Sequence, residues 1–456
     1  MKSAATVLFV CGAVAFVFAV VAASASAAVP LTRLSSDPFT NASSQHRTEV
    51  EPDSFSFGST IVSAFQVGRF FDGGASDIGF AVSNDGGATW QNGFLSGITK
   101  FRGGGPFDRA SDPSVTFDAR HGVWLISSLV LRETPSPVGV GVVVSRSTDG
   151  GHSWTAPDMV TGSGIADKNW IVCDNNAASA FFGRCSSEWD QPSSGDLIRM
   201  STSTNGGLSW STALTSADGA HGLGGQPVVQ ANGTVIVSYA TASFASIRSF
   251  RSVDGGASWR VSVQISAVTA HPVAGGLRSP PLPSAEVDGA GKVYVVWQAC
   301  RFRANCASND VVVSTTTPTS YPTWAPVVRV PIDATTSTVD HFIPVLAVDR
   351  ATAGATAHLG LAYYFYPNAT CSFSTCQLDV GYVFSNNGAT TWSAPSTLTG
   401  PMALAWLPST SQGRMVGDYI SSSFSNGGVR PLFAVASAPS AGLFNEAIFT
   451  TTTALA

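Results

Sequence analysis

Charged residues and helix-favouring runs are both scarce in this 456-residue sequence. Only 12% of the residues are Asp, Glu, Lys or Arg, and the net charge of −5 comes from signs scattered along the chain. A nucleic-acid-binding surface needs a basic stripe, so we expect no nucleic acid partner. Gly, Ser, Thr and Val dominate while runs of Leu, Glu and Lys are nearly absent, which predicts an all-β fold.

Long apolar runs are absent except near the N-terminus. That run, Val7–Val21, follows Lys2 and precedes the small residues Ala25–Ala27, an order typical of a cleaved signal peptide. It is shorter than the roughly 20 residues that a membrane-spanning helix needs. We therefore predict a signal peptide over residues 1–27 and a secreted protein, with no membrane partner, over residues 28–456.

The seven cysteines include no Cys-x-x-Cys motif, and no histidine cluster accompanies them, so we predict no metal site built on them. Cys11 lies in the apolar run, which leaves an even number in the mature chain. These six fall into close pairs, which in an oxidising compartment indicates local disulfides. The predicted pairs are Cys173–Cys185, Cys300–Cys306 and Cys371–Cys376.

One octapeptide recurs along the chain and ends in tryptophan each time. Copies occur at Ser83–Trp90, Ser147–Trp154 and Ser252–Trp259, with variants at Ser203–Trp210 and Ser385–Trp392 and a stretched one at Ser314–Trp324. Asp or Asn accepts hydrogen bonds within a tight turn, Gly supplies positive φ, and Trp buries a large apolar face. We therefore assign turn structure, not catalysis, to Asp85, Trp90, Asp149, Trp154, Asn205, Trp210, Asp254, Trp259, Asn387 and Trp392.

The pattern Ser-x-Asp-x-Gly-x-x-Trp resembles the Asp box, or BNR repeat, of the sialidase superfamily. The resemblance extends over nearly the whole mature chain and implies a single-domain β-propeller of four-stranded antiparallel blades. Counting strands between the repeats predicts seven blades, with six as the alternative. The last blade lacks one strand, which Val29–Leu34 can supply from the N-terminus, closing the ring without a free edge.

In a propeller the first strand of each blade lines the central channel, and ligands bind where these strands begin. Polar residues stand at these predicted positions in nearly every unit: Glu51, Asp112, Asp167, Lys168, Gln226, Asp340, His341, Asp418 and Tyr419. From them we select Asp112, Asp340 and Tyr419 as candidate catalytic residues. Glu51, Asp167, Lys168, His341 and Asp418 are candidates for substrate binding.

Arg109, Arg278 and Arg414 each lie in a loop just before a predicted inner strand. The resemblance implies a role for them, because sialidases hold the substrate carboxylate with three arginines and use a tyrosine nucleophile, here Tyr419. The sequence departs from that family, since it has no Arg-Ile-Pro motif and the first unit carries Arg47–Pro52 instead. These residues are candidates by predicted position alone.

Two functions remain open from the sequence. The first is a secreted sialidase-like glycoside hydrolase that acts on terminal acidic sugars of glycoconjugates, as a monomer and without a cofactor. The second is a non-catalytic propeller that binds a glycan or protein through the same face, near Arg301–Arg303 and Tyr363–Tyr366. Convergence of the three arginines favours the enzyme and divergence favours binding. Asp174–Asn176 is a candidate site for structural calcium.

Overall fold

A computed structural model describes Met1 and residues 29–133, 135–162 and 164–456. The predicted signal peptide, apart from Met1, lies outside the described residues. The described part is all-β, with 29 strands and no α-helix. It contains no helix of the length and hydropathy that crossing a membrane requires.

The strands follow one another in successive antiparallel units, preceded by β1 at Leu31–Arg33. The first unit contains β2 (Gln45–Phe57), β3 (Thr60–Arg69), β4 (Ala75–Ser83) and β5 (Gln91–Phe94). The second contains β6 (Arg109–Asp118), β7 (Val123–Glu133), β8 (Pro137–Ser147) and β9 (Asp158–Thr161). The third contains β10 (Asp167–Cys173), β11 (Cys185–Gln191) and β12 (Leu197–Ser203).

The fourth unit contains β13 (Leu223–Val229), β14 (Val235–Ala240), β15 (Ser246–Ser252) and β16 (Val263–Ala267). The fifth contains β17 (Ser284–Val287), β18 (Val293–Ala299), β19 (Asp310–Thr316) and β20 (Val328–Arg329). The sixth contains β21 (Asp340–Val348), β22 (Leu359–Tyr366), β23 (Gln377–Ser385) and β24 (Ser396–Ala403). A hairpin of β25 (Ser409–Thr410) and β26 (Gly413–Arg414) precedes the last unit, β27 (Ser421–Ser425), β28 (Gly428–Ala436) and β29 (Glu446–Thr451). Single 3₁₀ turns occur at Pro192–Ser194, Ala274–Gly276, Ala304–Cys306, Gly354–Thr356 and Leu404–Trp406.

The first strands of the units contact one another in sequence. β2 contacts β6, and the contacts continue through β10, β13, β17 and β21 to β27, which in turn contacts β2. The N-terminal strand β1 pairs antiparallel with β29, with Leu31 opposite Thr451. The starts of β2, β6, β10 and β27 are thus gathered in one region, although they are far apart in sequence.

Apolar side chains from neighbouring units share common cores. One core joins Val62 and Ile78 of the first unit to Trp124 and Ile126 of the second. This follows from strand geometry, because alternate residues point to opposite faces and each face is buried against the next unit. The fourth, fifth and sixth units each form a separate four-stranded antiparallel sheet, as predicted. The third unit has three strands among the described residues, and the first, second and last units are joined in one larger sheet.

The repeat turns close through a shared set of hydrogen bonds. Gly87 N donates to Ser83 Oγ at 2.8 Å, and Thr89 N donates to Asp85 Oδ1 at 2.9 Å. Trp90 Nε1 donates to Gly87 O at 3.1 Å. The hydrogen bonds from Thr89 hold the pKa of Asp85 well below its usual range. Equivalent serine and Asp/Asn bonds form in the turns at Asp149, Asn205, Asp254 and Asn387.

All three predicted disulfides are present, which confirms the pairing. Cys173–Cys185 connects the end of β10 to the start of β11. Cys300–Cys306 closes the loop between β18 and β19, and Cys371–Cys376 closes the loop between β22 and β23. The last two therefore stiffen equivalent second-to-third-strand loops of neighbouring units.

The turn at Asn387 offers a test of the repeat, because Ala389 stands where the intact copies have glycine. Gly87 and Gly256 at this position have φ of 86° and 85°, and Ala389 has φ of 69°. An alanine in this region costs about 1–2 kcal/mol, partly offset by the greater freedom of glycine in the unfolded chain. Ala389→Gly should therefore raise the free energy of unfolding by roughly 0.5–1 kcal/mol in denaturant titrations.

Gly256→Ala is the matched control for this change. Its new Cβ would lie 2.6 Å from Thr202 Oγ1, in addition to the unfavourable φ, so this variant should be less stable than the wild type. Destabilisation by Ala389→Gly would contradict the account of the repeat turn.

Candidate functional site

The first strands carry β-bulges near their starts. The pairing register shifts around Glu51, Asp112, Lys168, Gly224 and Ile343. Each of these residues has a left-handed backbone, with φ of 54°, 44°, 48°, 61° and 48°, respectively. Bulges re-aim side chains, and left-handed non-glycine residues cluster at functional sites because the conformation is unfavourable elsewhere. The bulges therefore mark the gathered strand starts as the candidate site.

Three of the bulges carry a signal in the sequence. A proline directly follows the bulged residue in Glu51-Pro52, Asp112-Pro113 and Ile343-Pro344. Proline lacks an N–H group and occurs within sheets mainly at edges and bulges. The sequence analysis named Glu51 and Asp112 from their place before a strand, but it did not predict the bulges.

Five of the predicted residues meet in one buried ion-pair network, which we call the central cluster: Glu51, Asp112, Lys168, Arg278 and Asp418. Lys168 Nζ lies 3.3 Å from Asp112 Oδ1 and 3.7 Å from Glu51 Oε1, and it also pairs with Asp418 Oδ2. Arg278 Nε donates to Asp418 Oδ1 at 2.6 Å, and Arg278 Nη2 donates to Asp418 Oδ2. Side chains from four units and an inter-unit loop therefore converge on Lys168 and Asp418.

Two residues on β3, which the sequence analysis missed, support Glu51. Gln66 Nε2 donates to Glu51 Oε2, and Arg69 Nη1 donates to Gln66 Oε1 at 2.8 Å. The backbone N of Asp418 donates to Glu51 Oε1 at 3.1 Å. The available signal was the presence of Gln66 and Arg69 in a second strand that is mostly apolar and almost fully buried.

The charges of the central cluster favour the ionised forms of Lys168 and Asp418. Burial acts to lower the pKa of Lys168, but the charges of Asp112, Asp418 and Glu51 outweigh it and raise that pKa. Burial acts to raise the pKa of Asp418, but the charges of Lys168 and Arg278 outweigh it and lower that pKa. For Glu51 burial prevails, so its pKa is raised.

The central cluster opens into a cleft of about 360 Å³. Glu51, Asp112, Asp167, Lys168 and Arg278 line it, together with Arg69 and residues 410–412 of the β25–β26 hairpin. Burial, followed by the charge of Asp112, raises the pKa of Asp167 to about 6. The cleft thus combines a carboxyl group that is protonated in mildly acidic solution with carboxylates and cations.

Tyr419 lies beside the central cluster with its hydroxyl group engaged. The hydroxyl donates to Pro113 O at 3.3 Å, and the ring meets Trp170 edge-on with centroids 5.1 Å apart. Burial raises the pKa of Tyr419 well above its usual value. Tyr419, Lys168 and Asp418 line a small neighbouring cavity that also includes Gln226.

The guanidinium group of Arg109 pairs with carboxylates that do not belong to the central cluster. Its Nη1 pairs with Asp72 at 2.5 Å, its Nη2 pairs with Glu133 at 2.9 Å, and its guanidinium lies 4.0 Å from the centre of the Phe70 ring. Both carboxylates come from loops or strand ends next to Arg109, and they occupy the guanidinium group.

Arg414 also has other partners. Its Nη1 donates to Leu407 O at 2.7 Å, and its guanidinium lies 5.3 Å from the centre of the exposed Phe373 ring. Its carbonyl oxygen accepts a hydrogen bond from Arg278 N at 2.8 Å, so it supports Arg278 through the backbone. The three predicted arginines therefore share no binding partner, and Arg278 alone of the three joins the central cluster.

Asp340 and His341 lie in a separate network on the sixth unit. Asp340 Oδ1 accepts a hydrogen bond from Asn309 N at 2.6 Å, and His341 Nδ1 lies 3.3 Å from Asn309 O. Burial raises the pKa of Asp340 to about 6 and lowers that of His341 to about 4. These two candidates contact neither Lys168 nor Asp418 among the hydrogen bonds of the described residues.

Next to His341, the carboxylates of Asp310 and Asp333 complete a group of three side chains that could hold a metal ion. One potential ligand atom of each of the three residues lies within 4.8 Å of the others. Arg303 and Arg329, however, both bind Asp310 and Asp333, with Arg303 Nη2 2.6 Å from Asp333 Oδ1 and Arg329 Nε 2.7 Å from Asp310 Oδ1. The two guanidinium groups already balance the two carboxylates, which disfavours a bound cation here.

The oxygens of the proposed calcium loop take part in local hydrogen bonds. Asp174 Oδ1 accepts from Asn176 N at 3.0 Å, and Asp174 Oδ2 accepts from Ser179 Oγ. Asn175 Oδ1 accepts from Ala119 N at 2.8 Å. Calcium binding at Asp174–Asn176 stays a prediction.

The sequence matches no known protein-family profile. Among curated proteins it is similar to a xyloglucanase from Paenibacillus sp., with 31% identity over 206 residues that cover 41% of this chain. The alignment covers 18% of the xyloglucanase, so this chain corresponds to a small part of that enzyme's length.

Solved structures resemble the fold at low sequence identity. A protein of unknown function from Dyadobacter fermentans is 16% identical with a TM-score of 0.51, covering 79% of this chain and 99% of that chain. An ulvan lyase, a polysaccharide lyase bound to GlcA(1-4)Rha3S units, is 10% identical with a TM-score of 0.54, covering 92% and 95%. The NanB sialidase from Streptococcus pneumoniae is 14% identical with a TM-score of 0.43, covering 93% and 70%. These identities establish a likeness of fold alone.

Removing the central cation should destabilise the fold strongly. Lys168→Met leaves Glu51, Asp112 and Asp418 buried without their shared counter-ion, which costs about 3–5 kcal/mol for a buried pair. Lys100→Met is the matched control, because Lys100 pairs with Asp108 at 2.9 Å but its side chain is 51% exposed. That change should cost less than about 1 kcal/mol. Equal stability losses in chemical denaturation would refute the central role of Lys168.

Buried carboxyl groups next to the site predict a pH-dependent stability. Burial raises the pKa of Asp53 and of Glu49 to about 7, against about 4 in an unfolded chain. The folded state therefore binds these protons more tightly, and their contribution, full below about pH 4, is lost as the pH rises through 7. We expect the melting temperature to be lower at pH 8 than at pH 5.

Asp53→Asn keeps the shape of the side chain and should reduce this pH dependence. Asp85→Asn is the control, because the pKa of Asp85 is lowered and its stabilising effect changes only in strong acid. If the melting temperature of Asp53→Asn fell as much between pH 5 and pH 8 as that of the wild type, the folded protein would not depend on a protonated Asp53.

Proposed function

We propose that the units form a seven-bladed propeller of the Asp-box type, secreted as a single monomeric domain over residues 28–456. The circular series of first-strand contacts and the pairing of β1 with β29 support seven blades and closure by the N-terminal strand. The recurrent turn bonding supports the Asp-box relationship, and the three disulfides support export.

We further propose that the protein is a glycoside hydrolase that acts on acidic sugars at the central cluster. The observation that carries this proposal is the cleft in which Asp167, with its raised pKa, lies beside Asp112. Two carboxyl groups with different protonation behaviour are the usual requirement for cleaving a glycosidic bond. The 206-residue similarity to a xyloglucanase supports a carbohydrate substrate.

The roles of the two carboxyl groups follow from their surroundings. Protonated Asp167 donates its proton to the glycosidic oxygen as the bond to the leaving group breaks. Water then attacks the anomeric carbon and gives a proton to the Asp167 carboxylate, which forms the free sugar and restores the acid. Asp112, 3.3 Å from the Lys168 ammonium, provides the negative charge that stabilises the positive charge developing on the sugar ring. The engaged hydroxyl and raised pKa of Tyr419 favour this carboxyl pair over a tyrosine nucleophile.

Preference for an acidic sugar rests on the cations of the cleft. Arg69, Lys168 and Arg278 all line it, and a guanidinium group suits a sugar carboxylate. Arg278 uses Nε and Nη2 for Asp418, so a substrate carboxylate would approach its remaining Nη1 edge. This set of cations differs from the three arginines selected from the sequence.

The alternative is a propeller that binds glycans without cleaving them. The separate partners of Arg109 and Arg414 favour it, since a sialidase-type carboxylate grip by the three arginines needs them to converge. In that case the same cleft recognises an acidic glycan through its cations.

Hydrolysis of fluorogenic sialosides and glucuronides between pH 5 and pH 6 tests the proposal. Asp167→Asn removes the acid and should lower kcat about 100-fold or more, the scale of general acid catalysis. Asp158→Asn, a change at an exposed strand residue, is the matched control and should leave kcat unchanged.

Normal turnover by Asp167→Asn would rule out the proposed acid. A wild-type protein that hydrolyses none of these substrates but binds acidic glycans on an array would support the binding alternative. In either case Arg278→Lys should weaken binding of acidic glycans more than of neutral ones, because a lysine cannot bind Asp418 through two N–H groups of a planar fork and also present Nη1 to the ligand.

A further inference from the structure

Three second-to-third-strand loops each expose a phenylalanine. Phe71 is 54% exposed, Phe373 is 44% exposed and Phe302 is 38% exposed. Phe302 and Phe373 lie within the disulfide-closed loops Cys300–Cys306 and Cys371–Cys376. Each disulfide thus restrains a short loop around an aromatic ring that has been kept out of the core.

Neighbouring aromatic residues on β22 do not share this exposure. Tyr363, Tyr364 and Tyr366, which the sequence analysis placed near the binding face, are buried in the apolar cores and present no ring to a ligand. The accessible rings on this face come from the loops.

Phe71 and Phe373 flank the hairpin that forms one wall of the cleft. Phe71 O accepts a hydrogen bond from Ser411 N at 2.9 Å. On the other strand of the hairpin, the guanidinium of Arg414 lies over the Phe373 ring. Residues 410–412 of the same hairpin line the cleft, so both phenylalanines belong to loops that contact the cleft wall.

We propose that Phe71 and Phe373 bind further sugar units of a glycan that extends out of the cleft, which makes the substrate an anionic oligosaccharide or polysaccharide chain. This inference rests on the proposed function. A sugar held in the cleft must continue over the cleft wall if it belongs to a longer chain, and these rings lie there. Each ring offers a flat apolar face for stacking against the C–H face of a sugar.

The residues around the exposed rings favour a carbohydrate ligand over a protein partner. The rings are separated by a polar hairpin and neighbouring hydroxyl groups, including Ser372 and Thr375, whereas protein interfaces need a contiguous apolar core. Phenylalanine loses little side-chain freedom on binding, and the disulfide at Phe373 reduces the loss further. Arg414 beside Phe373 adds positive charge that complements an anionic chain.

Binding to polysialic acid and to polygalacturonate, measured by affinity gel electrophoresis and calorimetry on the full protein, tests this surface. Phe71→Ala and Phe373→Ala should each weaken binding of the preferred polymer by roughly fivefold to tenfold, the scale of one lost aromatic contact. Phe57→Ala is the matched control, because Phe57 is also 44% exposed but lies at the opposite end of β2. It should bind like the wild type.

The same variants separate this inference from the hydrolase proposal. On a small fluorogenic glycoside, Phe71→Ala and Phe373→Ala should keep wild-type kcat/KM, because that substrate ends inside the cleft. Polymer binding that depends on both rings in a protein without hydrolytic activity would uphold the surface and reject the hydrolase. Polymer binding that is absent, or unaffected by both changes, would overturn the inference, whether or not small substrates are cleaved.

Discussion

The ammonium group of Lys168 is the interaction on which the arrangement of the site depends. It lies among carboxylates from three other parts of the chain, and Arg278 pairs with the same Asp418 oxygen as Lys168. A buried carboxylate without a counter-ion is strongly unfavourable, so the partners must come together as a set. The starts of the first strands are consequently held by charge as well as by apolar packing between units.

The balance of charges also shapes what the cleft can recognise. Because Lys168 and Arg278 are already paired, the cleft is not a simple cationic pocket. A ligand carboxylate would compete with Asp418 and Asp112 for the same cations, which favours ligands that also offer hydroxyl groups to the carboxylates. A sugar with one acidic group and several hydroxyl groups can bind the cations and also donate hydrogen bonds to the carboxylates, whereas a simple anion can only bind the cations.

Features determined by local sequence could be predicted, and features determined by distant partners could not. The repeat turns, the disulfides and most strands follow from residues within a few positions of one another, as at Ser83–Trp90. Glu51, Asp112, Lys168 and Asp418 were found because each stands at the start of a first strand. Arg109 has the same placement, but its long side chain binds Asp72 and Glu133, and no local pattern reveals that choice.

The bulges, and the residues Gln66 and Arg69 that support Glu51, could not be predicted from local sequence for a related reason. A bulge changes the direction of a side chain without changing the strand pattern, so Asp112 was located but its orientation was not. Gln66 and Arg69 lie on a second strand, and their link to the site is the hydrogen bond from Gln66 to Glu51 at the bulge, which no local pattern predicts.

The pairing of β1 with β29 has a consequence for biosynthesis. Thr32 and Thr452, whose hydroxyl oxygens lie 3.1 Å apart, are separated by 420 positions. β1 therefore has no partner until β29, more than 400 positions later, has been made. Until then the edge of β29 does not exist and β1 remains unpaired, so this set of strands is completed last even though β1 is synthesised long before β27, β28 and β29. Domains usually assemble from their N-terminus during translation, but here the two ends must wait for each other.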